Sequence, residues 1–420
     1  MKNINQILKQ QIEQIKPDRN TLSEIKATTN DFIKNLEKKL KSKNFRAEVF
    51  VGGSLSKGTL IKKNKYDVDV FVRFDKKYED NEISNMLGKA LNGKAKRIHG
   101  SRDYYKIIVR GIILEVIPVL KIKRINEARN ITDLSYFHVN YIKKKLKNNK
   151  LAEDILLAKT FCHAQNCYGA ESYIHGFSGY SLELLICHYG SFLNFLKQVA
   201  INSKGKIVID DKKFYKNKNE VLRELNESKT QSPIILIDPT FKERNALAGL
   251  SNETFGKFKE ICTKFLKNPN EKFFIQKNTK EELSNKYGKG LKIVEVRTDK
   301  QPGDIAGSKS KKFFEFFVSK LEREFMVKLK EFEYDDNKNT AYFYFVSDKK
   351  KDEIIKGPPV TNTNNLTRFK KVHKNAFIKN HIAYAKIKHD LSFKEFIKMF
   401  KTKEKSIIKE MSVKKIESHK

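Results

Sequence analysis

The chain has 420 residues, with 86 Lys and Arg against 50 Asp and Glu, a formal charge of +36. At roughly 100–200 residues per domain this length predicts two to four domains, and 39% hydrophobic residues with 30 Phe and 16 Tyr exclude wholesale disorder. No stretch approaches the roughly 18 consecutive apolar residues of a membrane span, and the opening MKNINQILKQQIEQIKP is polar, so membrane insertion and secretion are both disfavoured. A charge excess of this size draws polyanions, which makes RNA or DNA the leading partner class.

In chain order, Leu22, Ile25, Phe32, Ile33, Leu36 and Leu40 have helical spacing and predict an amphipathic helix over 20–44. From Arg46 the texture changes to short β-rich runs, AEVFVGG, DVDVFVRF from Asp67, and YKIIVRGIILEVIPVLKI from Tyr105, which predict a mixed α/β domain. After about Asn140 the pattern is helical, through ILLAKTFCHAQ and the long run from Ser178 to Gln198. Residues 203–232 are lysine-rich and weakly patterned, and PIILIDP at 233–239 precedes a helix around 252–266. A helix through Phe313–Phe325 then leads into VKLKEFEY and AYFYFVS, two strands joined by the turn at Asp335–Asn339. The last twenty residues, with seven Lys against three Glu, read as a basic helix or tail. The predicted class is multidomain α+β: a mixed-sheet domain over 1–145, a helical middle domain over 146–275, a small α+β domain over 276–400 and a basic segment over 401–420.

Four cysteines, Cys162, Cys167, Cys187 and Cys262, make no disulfide framework in so long a chain, and the reducing cytosol is the simpler setting. Cys162 and Cys167 with His163 resemble half a zinc site, but no second pair stands at matching spacing. A phosphate-binding loop of the Walker type also fails, because Gly53 and Gly58 are followed by Thr59 where that loop needs Lys.

Chemistry concentrates at Gly52-Gly53-Ser54 and Asp67-Val68-Asp69. On a strand, Asp67 and Asp69 share one face while Val68 and Val70 share the other. Two carboxylates held close repel unless a cation joins them, and Mg²⁺ prefers such oxygen ligands together with substrate phosphates. The glycines let backbone N–H groups approach a triphosphate, Ser54 adds a hydroxyl, and Lys57 adds a positive charge. Glu115 lies in the otherwise apolar ILEVIP, where a charge needs a partner: the metal cluster, or a lysine.

This constellation resembles the nucleotidyltransferase superfamily signature. The runs Ser135-Tyr136-Phe137-His138, Tyr168-Gly169-Ala170-Glu171, Gly176-Phe177-Ser178-Gly179-Tyr180, Glu183-Leu184-Leu185 and His188-Tyr189-Gly190, with Lys159, Ile237-Asp238-Pro239 and Arg244-Asn245, are similar to the archaeal-type, class I CCA-adding enzymes. Lys57 stands where that family usually has Arg, and Glu115 where it usually has Asp. The resemblance implies that Asp67, Asp69 and Glu115 bind two Mg²⁺ and that Ser54 and Lys57 hold the triphosphate. It further implies that Ser135, His138, Lys159 and Tyr168 contact the sugar and phosphates of the incoming nucleotide, with Arg244 beside its base. The implied partners are tRNA, CTP and ATP, with no membrane; a homodimer is left open. Arg368, Lys370, Lys371 and Lys374, in an acid-free stretch over 361–389 with Phe369, Phe377 and Tyr384, form a stripe suited to an RNA backbone, or a solvated face over a small core. A poly(A) polymerase and an inactive RNA-binding protein are the rival readings.

Overall fold

The computed structural model describes residues 3–146, 148–201, 205–276 and 278–419. Contacts divide the chain into two units, Met1–Lys277 and Asn278–Lys420. In the first, α1 (Ile4–Ile15) buries Leu8 and Ile15 in the same core as Phe161 and Phe192, so the first helix packs with the helical part of the unit that follows in sequence. Asp18 then caps α2 (Arg19–Ser42), its carboxylate accepting from the Thr21 N–H at 2.8 Å. Ile25, Leu36 and Leu40 of α2 face the sheet core.

That sheet has five strands in the order β1-β2-β5-β4-β3. After β1 (Ala47–Val51) the short helix α3 (Gly53–Lys57) turns the chain into β2 (Asp67–Asp75), antiparallel to β1. Helix α4 (Asp80–Leu91), with Ile83, Leu87 and Ala90 fully buried, carries it across to β3 (Lys96–Ile98), β4 (Tyr104–Val109) and β5 (Ile112–Lys121). The run from Tyr105 splits into a hairpin at Arg110 and Gly111, whose φ angles of 47° and 79° give the twist that a two-residue turn requires. Strand β5 returns parallel to β2, with Asp69 opposite Glu115. Val68, Val70, Val72, Leu114 and Val116 point into the core, so period-two alternation puts Asp67, Asp69 and Glu115 together on the other face.

The helical part comprises α5 (Ser135–Lys145), α6 (Asn149–Ala164), α7 (Gly179–Tyr189), α8 (Phe192–Ile201) and α11 (Asn252–Lys267). Phe161, Phe177, Phe192, Phe195, Phe258 and Phe265 are fully buried here and stack edge to face. The long apolar run from Ser178 to Gln198 is two helices meeting at 90°, broken at Gly190 with φ of 76°. Among the described residues no single helix is long and apolar enough to cross a membrane. The lysine-rich segment is structured: β6 (Ile207–Ile209), α9 (Lys218–Glu224) and α10 (Glu227–Thr230) back onto β7 (Ile234–Asp238) and β8 (Phe241–Asn245). Val221 and Leu225 anchor it under Ile235 and Ile237, with Val208 and Tyr215 beside them and Ile209 in the helical core, a set too scattered to show a period; positions 203 and 204 lie outside the described residues.

The second unit opens with α12 (Thr279–Tyr287) and β9 (Leu291–Thr298). Helix α13 (Asp304–Glu324) starts well before Phe313 and covers the sheet β10-β11-β9-β15, built from β10 (Phe325–Asp335), β11 (Thr340–Lys349) and β15 (Val413–His419). Its core is aromatic, with Phe313, Phe317, Phe343, Phe345, Phe396 and Phe400 buried together. A second sheet joins β12 (Glu353–Pro359), β14 (Ile382–Ile387) and β13 (Ala376–Lys379), with α14 (Thr363–Val372) against β12. Helices α15 (Phe393–Lys403) and α16 (Lys405–Glu410) precede the last strand. The expected basic helix or tail is therefore in part a strand: β15 pairs with β9, and a bulge between Val413 and Lys415 hides its alternation from the sequence.

Candidate active site

The turn before β2 explains both of its glycines. Gly53 has φ of +54°, and a Cβ there would lie 1.7 Å from Asp69 Oδ2; a Cβ on Gly52 would lie 2.2 Å from the Phe71 ring. The Gly52 N–H donates to the Asp69 carbonyl at 2.9 Å, which locks the turn to the strand carrying the acids. Asp67 is exposed, 3.1 Å from Lys63 Nζ, and Glu115 is half-buried, 2.9 Å from Lys106 Nζ on the neighbouring strand. Asp69 lies between them. Burial, then the like charges of Glu115 and Asp67, push its carboxyl up to about 7 against the opposing pull of Lys57 and Lys159.

Among the described residues, the acids and histidines whose ligand atoms gather within 4.8 Å are Glu295, Glu417 and His419, at the β9–β15 pairing; Asp67, Asp69 and Glu115 stand farther apart than this. The donor set still fits a hard divalent cation. It consists of carboxylate oxygens alone on one open face, and their mutual repulsion is what a bound cation relieves. Glu115 has both of its foreseen neighbours, the acid beside it and the lysine opposite.

Lys57 and Lys159 converge on a residue that the sequence reading quoted without giving it a role. Glu183 of α7 is fully buried, with Lys57 Nζ at 2.5 Å and Lys159 Nζ at 2.8 Å, and the Thr59 hydroxyl donates to it at 3.0 Å. Burial alone would raise this carboxyl, yet the two ammonium groups hold it down at about 2. Burial also lowers Lys159, with Glu183 opposing. The three side chains come from α3, α6 and α7, so the ion cluster ties the glycine turn to the helices.

A second buried carboxylate, Asp238 at the end of β7, gathers the base side of the site. Arg244 Nη1 donates to its Oδ2 at 2.5 Å, and His138 Nε2 is 3.1 Å away from the same oxygen. The His138 ring stacks on Tyr180 with centroids 4.2 Å apart. Burial lowers the His138 imidazole, and the charges of Arg244 and Lys57 lower it further against Asp238, which also places this cluster within electrostatic reach of the glycine turn. Both missed acids carried a sequence signal, a lone charge inside an apolar run, SLELLI and IILID.

Of the remaining expected residues, Ser54 and Ser135 are half-buried on α3 and α5, two helices that touch. Tyr168 stacks on His163 at 3.7 Å, and its hydroxyl lies where a Cβ on Gly179 would be 2.7 Å away. In the second unit Arg368, Lys370, Lys371 and Lys374 are all exposed. Phe369 packs on Gly357, where a Cβ would lie 2.7 Å from its ring, while Phe377 stacks on Tyr384 and is 41% exposed.

Residues 33–150 match the nucleotidyltransferase domain family and residues 153–275 match the second domain of tRNA nucleotidyltransferases. The chain is 35% identical over 339 residues to the CCA-adding enzyme of Nanoarchaeum equitans, covering 79% of this chain and 81% of that one. It is 29% identical over 411 residues to the CCA-adding enzyme of Methanocaldococcus jannaschii, covering 95% and 90%. Among solved structures, Cid1 poly(U) polymerase shares the fold at a TM-score of 0.52 and 14% identity, covering 64% of this chain and 98% of that one. With matched domains in tandem and a relative above 30% identity over most of both sequences, the chain belongs to the family of CCA-adding enzymes.

Proposed function

We propose that this protein builds and repairs the 3′-terminal CCA of tRNA, adding nucleotides from CTP and ATP without a nucleic-acid template and releasing pyrophosphate. The observation that carries this reading is the β2–β5 register, which sets Asp69 beside Glu115, with Asp67 on the same face and the Gly52-Gly53 turn pressed against Asp69. Asp67, Asp69 and Glu115 would hold two Mg²⁺, which when bound supply activation of the RNA 3′-hydroxyl and neutralise charge on the departing pyrophosphate.

The chain's own groups do the positioning. The turn at Gly52–Ser54 presents backbone and hydroxyl donors to the triphosphate, with the Lys57 and Lys159 ammonium groups fixed behind it by Glu183. Ser135, His138 and Tyr168 bound the sugar, and Arg244 faces the base. The RNA 3′-oxygen attacks the α-phosphorus in line, and the bond from that phosphorus to the bridging oxygen breaks as pyrophosphate leaves. In this arrangement 1–145 carries the chemistry and 146–275 selects the nucleotide. Residues 276–400, with the basic segment 401–420, grip the tRNA through Arg368, Lys370, Lys371 and Lys374. Incubating tRNA that lacks its CCA with CTP, with ATP and with both tests the reading: CTP alone adds two cytidines, and the adenosine follows only when both are present. Repeated addition from ATP alone would overturn it in favour of a poly(A) polymerase.

A further inference from the structure

Asp238 has no exposed surface, and the mechanism above leaves it without a task. Four hydrogen bonds reach its two oxygens, and the His138 imidazole lies beside them. Oδ1 accepts from the Tyr180 hydroxyl at 3.0 Å, the Thr240 N–H at 2.8 Å and the Thr240 hydroxyl at 2.7 Å. Oδ2 accepts from Arg244 Nη1 at 2.5 Å and lies 3.1 Å from His138 Nε2. These partners come from α5, α7, the turn after β7, and β8, so one carboxylate joins four separate segments.

A carboxylate that only neutralised Arg244 would need a single partner. Here one oxygen is pinned by three donors, which fixes the direction of the other. A guanidinium is a rigid planar fork with five N–H groups, so holding Nη1 sets where the remaining donors point. His138 is held twice, by its distance to Oδ2 and by its stack on Tyr180, and the Arg244 guanidinium itself lies 5.6 Å over that same ring. Burial would raise the Asp238 carboxyl, but His138, Arg244 and the Thr240 N–H keep it well below the usual carboxylate range, hence charged at neutral pH.

We propose that Asp238 is the positioning residue of base selection, orienting the Arg244 fork and the His138 ring together before a nucleotide arrives. The proposal rests on the CCA-addition reading. With no template, discrimination depends on donors whose direction is set in advance, because a freely rotating arginine satisfies a wrong base as readily as a right one.

The test uses the full chain and tRNA lacking its CCA. In Asp238→Asn an amide replaces the charge at nearly the same size. The KM for CTP and for ATP is expected to rise about tenfold with a much smaller change in kcat, and the preference for CTP over UTP and for ATP over GTP to fall about tenfold. The preference ratio is taken within one preparation, so partial misfolding leaves it unmoved. In an Arg244→Ala background, Asp238→Asn should lower the ratio by much less than tenfold, since the arginine carries most of the anchor's effect on the base and His138 only the remainder. Parental KM and ratio in Asp238→Asn, or full additivity with Arg244→Ala, would overturn the proposal. If Asp238→Asn does not fold, Thr240→Val removes one bond from Oδ1, and an unchanged ratio there overturns the proposal equally. A parent chain that adds neither C nor A refutes the functional reading itself; an active parent with an unchanged variant refutes Asp238 alone.

Discussion

Replacing Glu183 by Gln removes the negative charge to which Lys57 and Lys159 are both bonded and leaves the two ammonium groups facing each other. A fall of the Glu183 carboxyl from 4.5 to about 2 corresponds to about 3 kcal/mol of stability at neutral pH. Breaking a buried ion pair costs about 3–5 kcal/mol by general experience, so the two figures agree. For a unit of this size, about 3 kcal/mol lowers the melting temperature by roughly 6–12 °C.

The pH dependence has a definite sign. Glu183 titrates lower in the folded protein than in the unfolded chain, so its contribution is complete above 4.5 and is lost as pH falls through about 2. Lys159 is also lowered in the folded protein, and Glu183 is the largest influence raising it back, so Gln lets it shed its proton at lower pH still. An unfolded chain that binds more protons makes stability rise with pH, and the variant enters that window before the parent does. The melting gap should therefore be full just above pH 4.5, narrow as pH falls from there through about 2, and narrow again toward alkaline pH as Lys159 of the variant sheds its proton first. Calorimetry of parent and Glu183→Gln from pH 3 to 10 measures it. A gap under about 2 °C at pH 7, or one that widens steadily toward alkaline pH, would refute the assigned network.

Other perturbations separate the parts of the site. Asp67→Asn and Asp69→Asn should each abolish nucleotide addition while tRNA affinity in a filter-binding assay stays near the parent's, because the proposed reading gives RNA binding to the basic surfaces and metal binding to these acids. Gly53→Ala forces a Cβ toward Asp69 Oδ2 at a positive φ, and addition should fall at least tenfold with melting lowered by a few degrees at most. Glu115→Gln should slow single-turnover addition strongly, whereas Glu115→Asp, with activity tested in Mn²⁺ as well, should be milder; a normal rate with a lowered melting point would mean that the pairing with Lys106 is its whole role. Lys370, Lys371 and Lys374 replaced together by Gln should flatten the slope of log affinity against log salt by about one unit for each RNA phosphate they leave without a cation, and a parental slope would mark the stripe as a solvated face.

Much of this was legible because alternation is a local property. Asp67-Val68-Asp69-Val70 and Leu114-Glu115-Val116 declare which side chains share a face, and the strands obey. That these two strands pair in parallel with Asp69 beside Glu115 is not local, because the chain between them runs through α4, β3 and β4: the lone charge in ILEVIP asked for a partner, the metal cluster or a lysine, and the resemblance to nucleotidyltransferases favoured the acids. The last strand failed to announce itself for a smaller reason, a bulge that shifts its alternation, and the segment from 205 to 232 because the apolar anchors that fold it are scattered among lysines at no regular spacing.

The sequence reading assigned the cations Lys57, Lys159 and Arg244 directly to substrate and passed over the acids that hold them. The structure places each on a buried carboxylate first. A strongly basic chain facing a polyphosphate and an RNA backbone has no shortage of positive charge; what it lacks is a means of keeping flexible cationic side chains in one place. Glu183 and Asp238 supply that means. Each spends part of the attraction that Lys or Arg would otherwise offer the substrate, in return for a fixed direction. The rule that drew attention to Glu115, a lone acid in an apolar run, applied equally to SLELLI and IILID, and in all three places the acid has found its cation.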